Sequence, residues 1–193
     1  DDLNLQDWLN TMIFPREAVM TGEDIYWLSK LAFLEYLQSG VTAIADMYLN
    51  PYTISDAAAE FGMRTQLVSG LNKFGPTVEE LEKRFNDLSG KEEIVGVLMG
   101  VHAEYTCDLD TLKKVSELIH KYKAPLYVHM SETKTEHDEC KEKYGKTPIE
   151  LFDSFGTWDI APATAAHCVW VEDRDMDIIK DKGIHVASNP VSN

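Results

Sequence analysis

The 193-residue sequence predicts an α/β fold built on a parallel sheet, and three observations carry that expectation. Helical and strand patterns alternate along the whole chain. The strand segments are short and apolar throughout, as strands covered by helices on both faces must be. Three of the histidines fall where such strands end, at the edge where parallel α/β folds bind ligands. Two architectures share this pattern, a doubly wound open sheet and a (β/α)8-type barrel.

Each element has a local reason. Thr21 offers a hydroxyl N-cap with Glu23 and Asp24 in the first turn. The helix it starts runs through Ile25, Leu28, Leu31, Ala32 and Leu37 and stops at Gly40. Val41–Ala45 is a short apolar strand ending at Asp46. A helix over about 53–61 closes at Gly62, and strand two is Met63 to Ser69. Thr77 and Glu80 form a capping box for the third helix. Ile94–Met99 is strand three, ending at His102. Helix four runs from Asp108 to about Lys121 with Leu112, Val115, Leu118 and Ile119 on one stripe. Pro125–Val128 is strand four, ending at His129. A polar helix covers Glu136 to Tyr144, and Thr147-Pro148-Ile149-Glu150 opens another with a cap, Pro at N1 and an acid at N3. Ala163–Ala166 is strand five, ending at His167. The last helix, Asp173 to Lys182, stops at Gly183 before strand six, Ile184–Ala187.

Composition narrows the function. Eighteen Lys and Arg against 33 Asp and Glu give a net charge of −15, which argues against nucleic acid or an anionic membrane as partner. With 44% hydrophobic and 26% charged residues the chain can bury a core as one domain spanning 1–193. No apolar run approaches the roughly 18 residues of a membrane span. Cys107, Cys140 and Cys168 form no C-x-x-C pair, so neither a zinc ribbon nor a disulfide framework is legible. That usage suits a reducing cytoplasm.

The chemistry should sit at the strand ends, with His102, His129, His167 and Asp46. Glu132, three residues past His129, could shuttle a proton for metal-bound water. Each residue also has a plainer role. A strand-end His is often just hydrogen-bonded, Glu132 could be a first-turn acid of a helix, and Asp46 could cap a turn. Cys168 beside His167 reads as a buried thiol rather than a nucleophile. Trp8 could stack on a planar ligand or anchor the N-terminal segment to the core. His120 and His137 fall on helix faces and His185 inside a strand. No G-x-G-x-x-G, Walker loop, G-x-S-x-G, H-E-x-x-H or H-x-E…P-C-x-x-C occurs.

Taken together, His102-Ala103-Glu104-Tyr105-Thr106-Cys107, His129-Met130-Ser131-Glu132-Thr133, Ala165-Ala166-His167-Cys168-Val169 and Ser188-Asn189-Pro190-Val191-Ser192-Asn193 resemble the amidohydrolase superfamily. The match is to its branch of cytosine, adenosine and S-adenosylhomocysteine deaminases and chlorotriazine hydrolases. Asp7-Trp8-Leu9, Gly40-Val41-Thr42-Ala43 and Asp46-Met47-Tyr48 fit the same branch. The resemblance implies a (β/α)8 TIM-type barrel with one divalent metal, zinc or iron, activating water against a ring carbon that bears NH₂ or Cl. It implies His129 as a metal ligand and Glu132 as the catalytic proton shuttle, also touching the substrate ring. His167 would orient the nucleophile, His102 would hydrogen-bond the substrate, and Trp8 would contribute to its binding.

The departures matter equally. The family's H-x-H metal motif should precede Asp1 and its last Asp ligand should follow Asn193, so the six strands correspond to barrel strands two to seven. The first and last barrel strands are accordingly expected to be missing from this sequence. The Met-less start Asp1-Asp2-Leu3 fits the same reading of an internal piece. One ligand alone cannot hold zinc tightly, so the chain by itself is expected to be metal-free and inactive. Two open sheet edges imply a larger object, pairing with the missing segments, or a homo-oligomer. Gln6 stands where adenosine-type members carry a ribose-binding Glu, positions around Ser69 and Gly75 lack their Arg, and Glu104 replaces a usual Pro. The expected function is hydrolytic deamination of an adenosine-, S-adenosylhomocysteine-, cytosine- or guanine-like ring. The alternatives are dechlorination of a triazine-like ring and a non-catalytic α/β binding module.

Overall fold

The structure, a computed structural model, describes residue 3 and residues 5–68, 70–73, 75–160 and 162–193, without the side chains of residues 5 and 6. Short helices α1 (Leu5–Trp8) and α2 (Phe14–Glu17) flank a π-helical turn at Leu9–Ile13. The alternating units then follow: α3 (Gly22–Gln38), β1 (Ala43–Asp46), α4 (Pro51–Phe61), β2 (Arg64–Val68), α5 (Val78–Leu88) and β3 (Val95–Leu98). The second half contains α6 (Leu109–Tyr122), β4 (Leu126–Met130), α7 (Lys134–Tyr144), α8 (Pro148–Asp153), β5 (Ala163–His167), α9 (Asp173–Lys182) and β6 (His185–Ala187).

Every described strand pair is parallel, in two sheets ordered β1-β2-β3 and β4-β5-β6. The sheets meet along a seam. A parallel bridge joins Met99 to Leu126, and Met99 N donates to Pro125 O at 2.9 Å while Tyr127 N donates to Met99 O at 3.0 Å. The strands therefore follow chain order across the seam with no reversal. That is barrel progression, whereas a doubly wound sheet reverses its strand order at a switch point. Gly100 makes the seam possible, because a Cβ there would lie 2.0 Å from the Tyr127 carbonyl oxygen.

The capping residues act as their sequence positions require. Thr21, Thr77, Thr133 and Thr147 each accept the N3 backbone N–H of their helix, while the N3 acid returns a bond to the cap. Gly62, Gly145 and Gly183 end α4, α7 and α9 in the left-handed region.

The larger core packs Met99, Val101, Leu112, Val115, Ile119, Leu126, Val128, Met130 and Trp158 between sheet and helices. A second cluster holds Ile25, Phe33, Ile54, Leu67, Val95 and Val97. The stripe expected on α3 is only partly buried. Of that stripe Ile25 is buried and Ala32 half-buried, while Leu28, Leu31 and Leu37 are exposed; the helix buries Phe33, which lay outside the expected stripe, instead. Strand four also runs two residues further than its pattern suggested, which places His129 inside β4 rather than after it. Ser69, at the expected end of strand two, lies outside the described residues. No described helix is long and apolar enough to cross a membrane.

Candidate active site

On β4 the side chains alternate, with Leu126, Val128 and Met130 buried in the core shared with the helices. Tyr127 and His129 therefore face the opposite side of the sheet. His129 is fixed there twice by His102: its backbone N donates to the His102 carbonyl at 3.0 Å, and its ring Nδ1 approaches the same oxygen at 2.9 Å. A carbonyl only accepts, so Nδ1 carries the hydrogen and Nε2 of the neutral ring presents a lone pair. Burial holds the imidazole below its usual pKa, which favours that neutral form.

His102 is held from behind by its own N–H to Leu71 O at 2.8 Å. Its ring lies 4.8 Å from that of His129, and its buried Nδ1 has no partner among the described residues. Burial, with His129 and His167 nearby, pushes its pKa down to about 4.

His167 ends β5 with its ring stacked on His129, centroids 5.5 Å apart. It and Cys168 take φ of 72° and 50°, a left-handed pair rare for residues with side chains. The neighbouring strand end stabilises the turn. Cys168 N donates to Met130 O at 2.9 Å, and Val169 and Trp170 donate to Ser131 O at 3.1 and 2.9 Å. His167 Nδ1 lies 2.7 Å from Asn193 Oδ1, leaving Nε2 toward Glu132 Oε2 at 3.6 Å.

Glu132 sits between β4 and α7. The residue that caps α7 is Thr133, so Glu132 precedes the helix and is not a first-turn acid. Its backbone is held by Glu136, whose carboxylate accepts from Ser131 N at 2.6 Å and Glu132 N at 2.9 Å. Ser131 itself adopts a φ of 49°.

The structure thus brings together His102, His129, Glu132 and His167. It leaves others apart. Trp8 is half-buried in α1 and makes no ring contact with the histidines among the described residues. Asp46 ends β1, where burial raises its carboxyl above the usual range. The Cys168 thiol is pushed up to about 12 by burial, which fits a packing role rather than a nucleophile. His120 bonds the Gly156 carbonyl and His137 the Glu172 carboxylate, both structural contacts. The Gln6 side chain lies outside the described residues.

Sequence reasoning missed Glu104, Glu136 and Asn193. A signal for Glu136 was present in Thr133-x-x-Glu136, the spacing of a capping box. Glu104 was visible only as a substitution for Pro, and Asn193 had no signal beyond its motif.

Among the described residues no group of three or more His, Cys, Asp or Glu side chains could hold a metal ion. His129 nevertheless has the chemistry of a ligand, a bare Nε2 on a ring oriented through Nδ1 by a carbonyl. The described side chains therefore fit part of a metal site rather than a closed one.

Comparison with known proteins agrees with this geometry. The sequence model of the amidohydrolase family matches residues 1–193. A 5-methylthioadenosine/S-adenosylhomocysteine deaminase of Desulforamulus reducens is 40% identical over 198 residues, covering 100% of this chain and 46% of the relative. A 5′-deoxyadenosine deaminase of Methanocaldococcus jannaschii is 37% identical, covering 100% of this chain and 48% of that protein. The crystal structure of an adenosine deaminase from Xanthomonas campestris, with bound zinc, superposes with a TM-score of 0.89 at 23% identity, covering 98% of this chain and 45% of that one. This chain spans about half the length of the curated relatives it matches.

Proposed function

Given that the chain belongs to the amidohydrolase family, we propose that the full-length protein carrying it deaminates an adenosine-like heterocycle by hydrolysis. The observation that carries this reading is the convergence of His102, His129, His167 and Glu132 at the ends of successive parallel strands. Relatives at 40% and 37% identity, named as a 5-methylthioadenosine/S-adenosylhomocysteine deaminase and a 5′-deoxyadenosine deaminase, support the substrate class.

His129 would hold a divalent metal, zinc or iron, through Nε2, with the remaining ligands supplied from outside the described residues. Such an ion supplies a water of near-neutral pKa. Glu132 would take one water proton and deliver it to the ring nitrogen, where it stays, and would then pass the proton of the added hydroxyl to the departing amine. The oxygen adds to the ring carbon, the C–NH₂ bond breaks as the ring C=O forms, and ammonia leaves with the second proton. His167, 3.6 Å from Glu132 and tied to Asn193, orients the attacking oxygen and stabilises the charge that develops on it. His102, whose buried Nδ1 has no partner among the described residues, is the group that would hydrogen-bond the ring. A cleft of about 310 Å³ lined by Leu71, Asn72, Gly75, Thr77, Cys107 and Thr111 borders the loop that follows His102. The protein's three free cysteines, Cys107, Cys140 and Cys168, support a reducing compartment such as the cytoplasm.

The test is ammonia release by the zinc-loaded full-length protein from S-adenosylhomocysteine and 5′-deoxyadenosine. Glu132→Gln lowers kcat by about 10²- to 10⁴-fold while zinc content holds. Full turnover in that variant contradicts the assigned proton path, and chloride release from a chlorotriazine without deamination contradicts the substrate class.

A further inference from the structure

Two buried carboxyl groups lie behind the site, and the mechanism above uses neither. Glu136, 4% exposed, accepts the backbone N–H groups of Ser131 and Glu132 on separate oxygens, at 2.6 and 2.9 Å. Glu104, 2% exposed on the short 3-10 turn Glu104–Thr106, reaches across from the His102 loop and hydrogen-bonds the Glu136 carboxyl. One of these two groups must be the acid. Both Glu136 oxygens receive N–H donors, so Glu136 is the anion. Glu104 Oε2 is buried with no donor reaching it, which is the surrounding of an O–H and not of a charged oxygen.

We propose that Glu136 is a positioning residue of the deamination, clamping the Ser131–Glu132 backbone so that the Glu132 carboxylate is aimed beside His167, and that Glu104 completes the clamp as a neutral donor. The inference rests on the proton role given to Glu132 above. Ser131 holds a φ of 49°, an energetically costly conformation for a residue with a side chain, which persists only where its surroundings over-determine it. The Glu136 carboxylate supplies that constraint from one side. Val169 and Trp170, bonding Ser131 O, supply it from the β5 loop. The clamp thereby links all three strand-end loops that carry His102, Glu132 and His167. Burial and the neighbouring carboxylate drive the Glu104 carboxyl far above the usual range, in agreement with the assignment of its proton.

The two carboxyls answer differently to the same isosteric change. In Glu136→Gln the new NH₂ faces backbone N–H donors, donor against donor, and the loop loses an anchor. In Glu104→Gln the new NH₂ donates to Glu136 as the acid did. With zinc-loaded full-length protein and S-adenosylhomocysteine, Glu136→Gln lowers kcat roughly 10- to 100-fold, the scale of a misplaced catalytic group, with KM and zinc content within about threefold. Amide hydrogen exchange across residues 131–133 rises about tenfold in the same variant, the sign of a released loop. Glu104→Ala loses about tenfold in kcat, and Glu104→Gln restores most of that loss. Unchanged kcat in Glu136→Gln, equal losses in Glu104→Gln and Glu104→Ala, or unchanged exchange at 131–133 each overturns the proposal. If Glu136→Gln does not fold, the Glu104 pair decides the matter. If the wild-type protein releases no ammonia, the functional reading fails instead, and exchange at 131–133 still decides whether Glu136 clamps the loop.

Discussion

His129 points its ring Nδ1 at the carbonyl oxygen of His102, 2.9 Å away, and so the end of one strand sets the tautomer of a histidine on the next. The bond crosses the seam between the two sheets, which makes the seam part of the site. Whatever holds the two sheets together also holds the bare Nε2 in place.

Metal retention follows from that bond. His129→Ala in the full-length protein is expected to weaken zinc binding by at least about 100-fold, because losing a ligand exceeds the 10- to 100-fold cost of losing only its orienting partner. Competition with a chelator measures it. Wild-type affinity in this variant would remove His129 from the site.

The seam itself is tested at Gly100. A Cβ placed 2.0 Å from the Tyr127 carbonyl oxygen cannot be absorbed by a flexible side chain, because the obstacle is backbone. Gly100→Ala is expected to cost about 3 kcal/mol or more, the upper range for overpacking. Urea unfolding gives the value. An unperturbed midpoint would show that the two sheets do not approach as described.

Much of this architecture was legible from local chemistry. The capping residues Thr21, Thr77 and Thr147 and the stop signals Gly62 and Gly183 act within one or two turns of chain, so the sequence displays them directly. The strand-end positions of His102 and His167 follow from the same alternation. Packing between distant segments was not legible. Nothing near Glu104 announces that it meets Glu136, and Leu28 and Leu31 look like core residues until the face they occupy is seen uncovered. Glu132 was singled out from its spacing to His129, but its place before the cap rather than inside the helix depended on Thr133 taking the capping role.

Helix caps also rank by burial. Thr77 caps α5 at the surface, whereas Thr147 is 1% exposed and hydrogen-bonds both the Glu150 N–H and the buried Asp175 carboxylate. Thr77→Ala is expected to cost about 1 kcal/mol. Thr147→Ala costs about 2–4 kcal/mol, because it also leaves Asp175 short of a donor. Thermal unfolding of the two variants under one condition compares them, and equal losses would contradict the role given to Asp175.

The thiols give a pH signature. Burial pushes Cys140 up to about 12 from an ordinary 9. The unfolded chain therefore releases this proton first, so stability is unaffected below pH 9 and falls as pH rises from 9 toward 12. At pH 8 the folded thiol holds about a thousandfold less thiolate than a free one, and alkylation slows accordingly. Rapid labelling of Cys140 in the native protein at pH 8 would show that it is not buried as described.

The central claim is that these strand-end residues perform hydrolytic deamination, and ammonia release measures it most directly. Zinc-loaded full-length protein is expected to liberate one ammonia per S-adenosylhomocysteine or 5′-deoxyadenosine consumed, and Glu132→Gln to abolish nearly all of it at unchanged zinc content. No ammonia from the wild-type protein with either nucleoside, or equal rates with and without the Glu132 carboxylate, would contradict it.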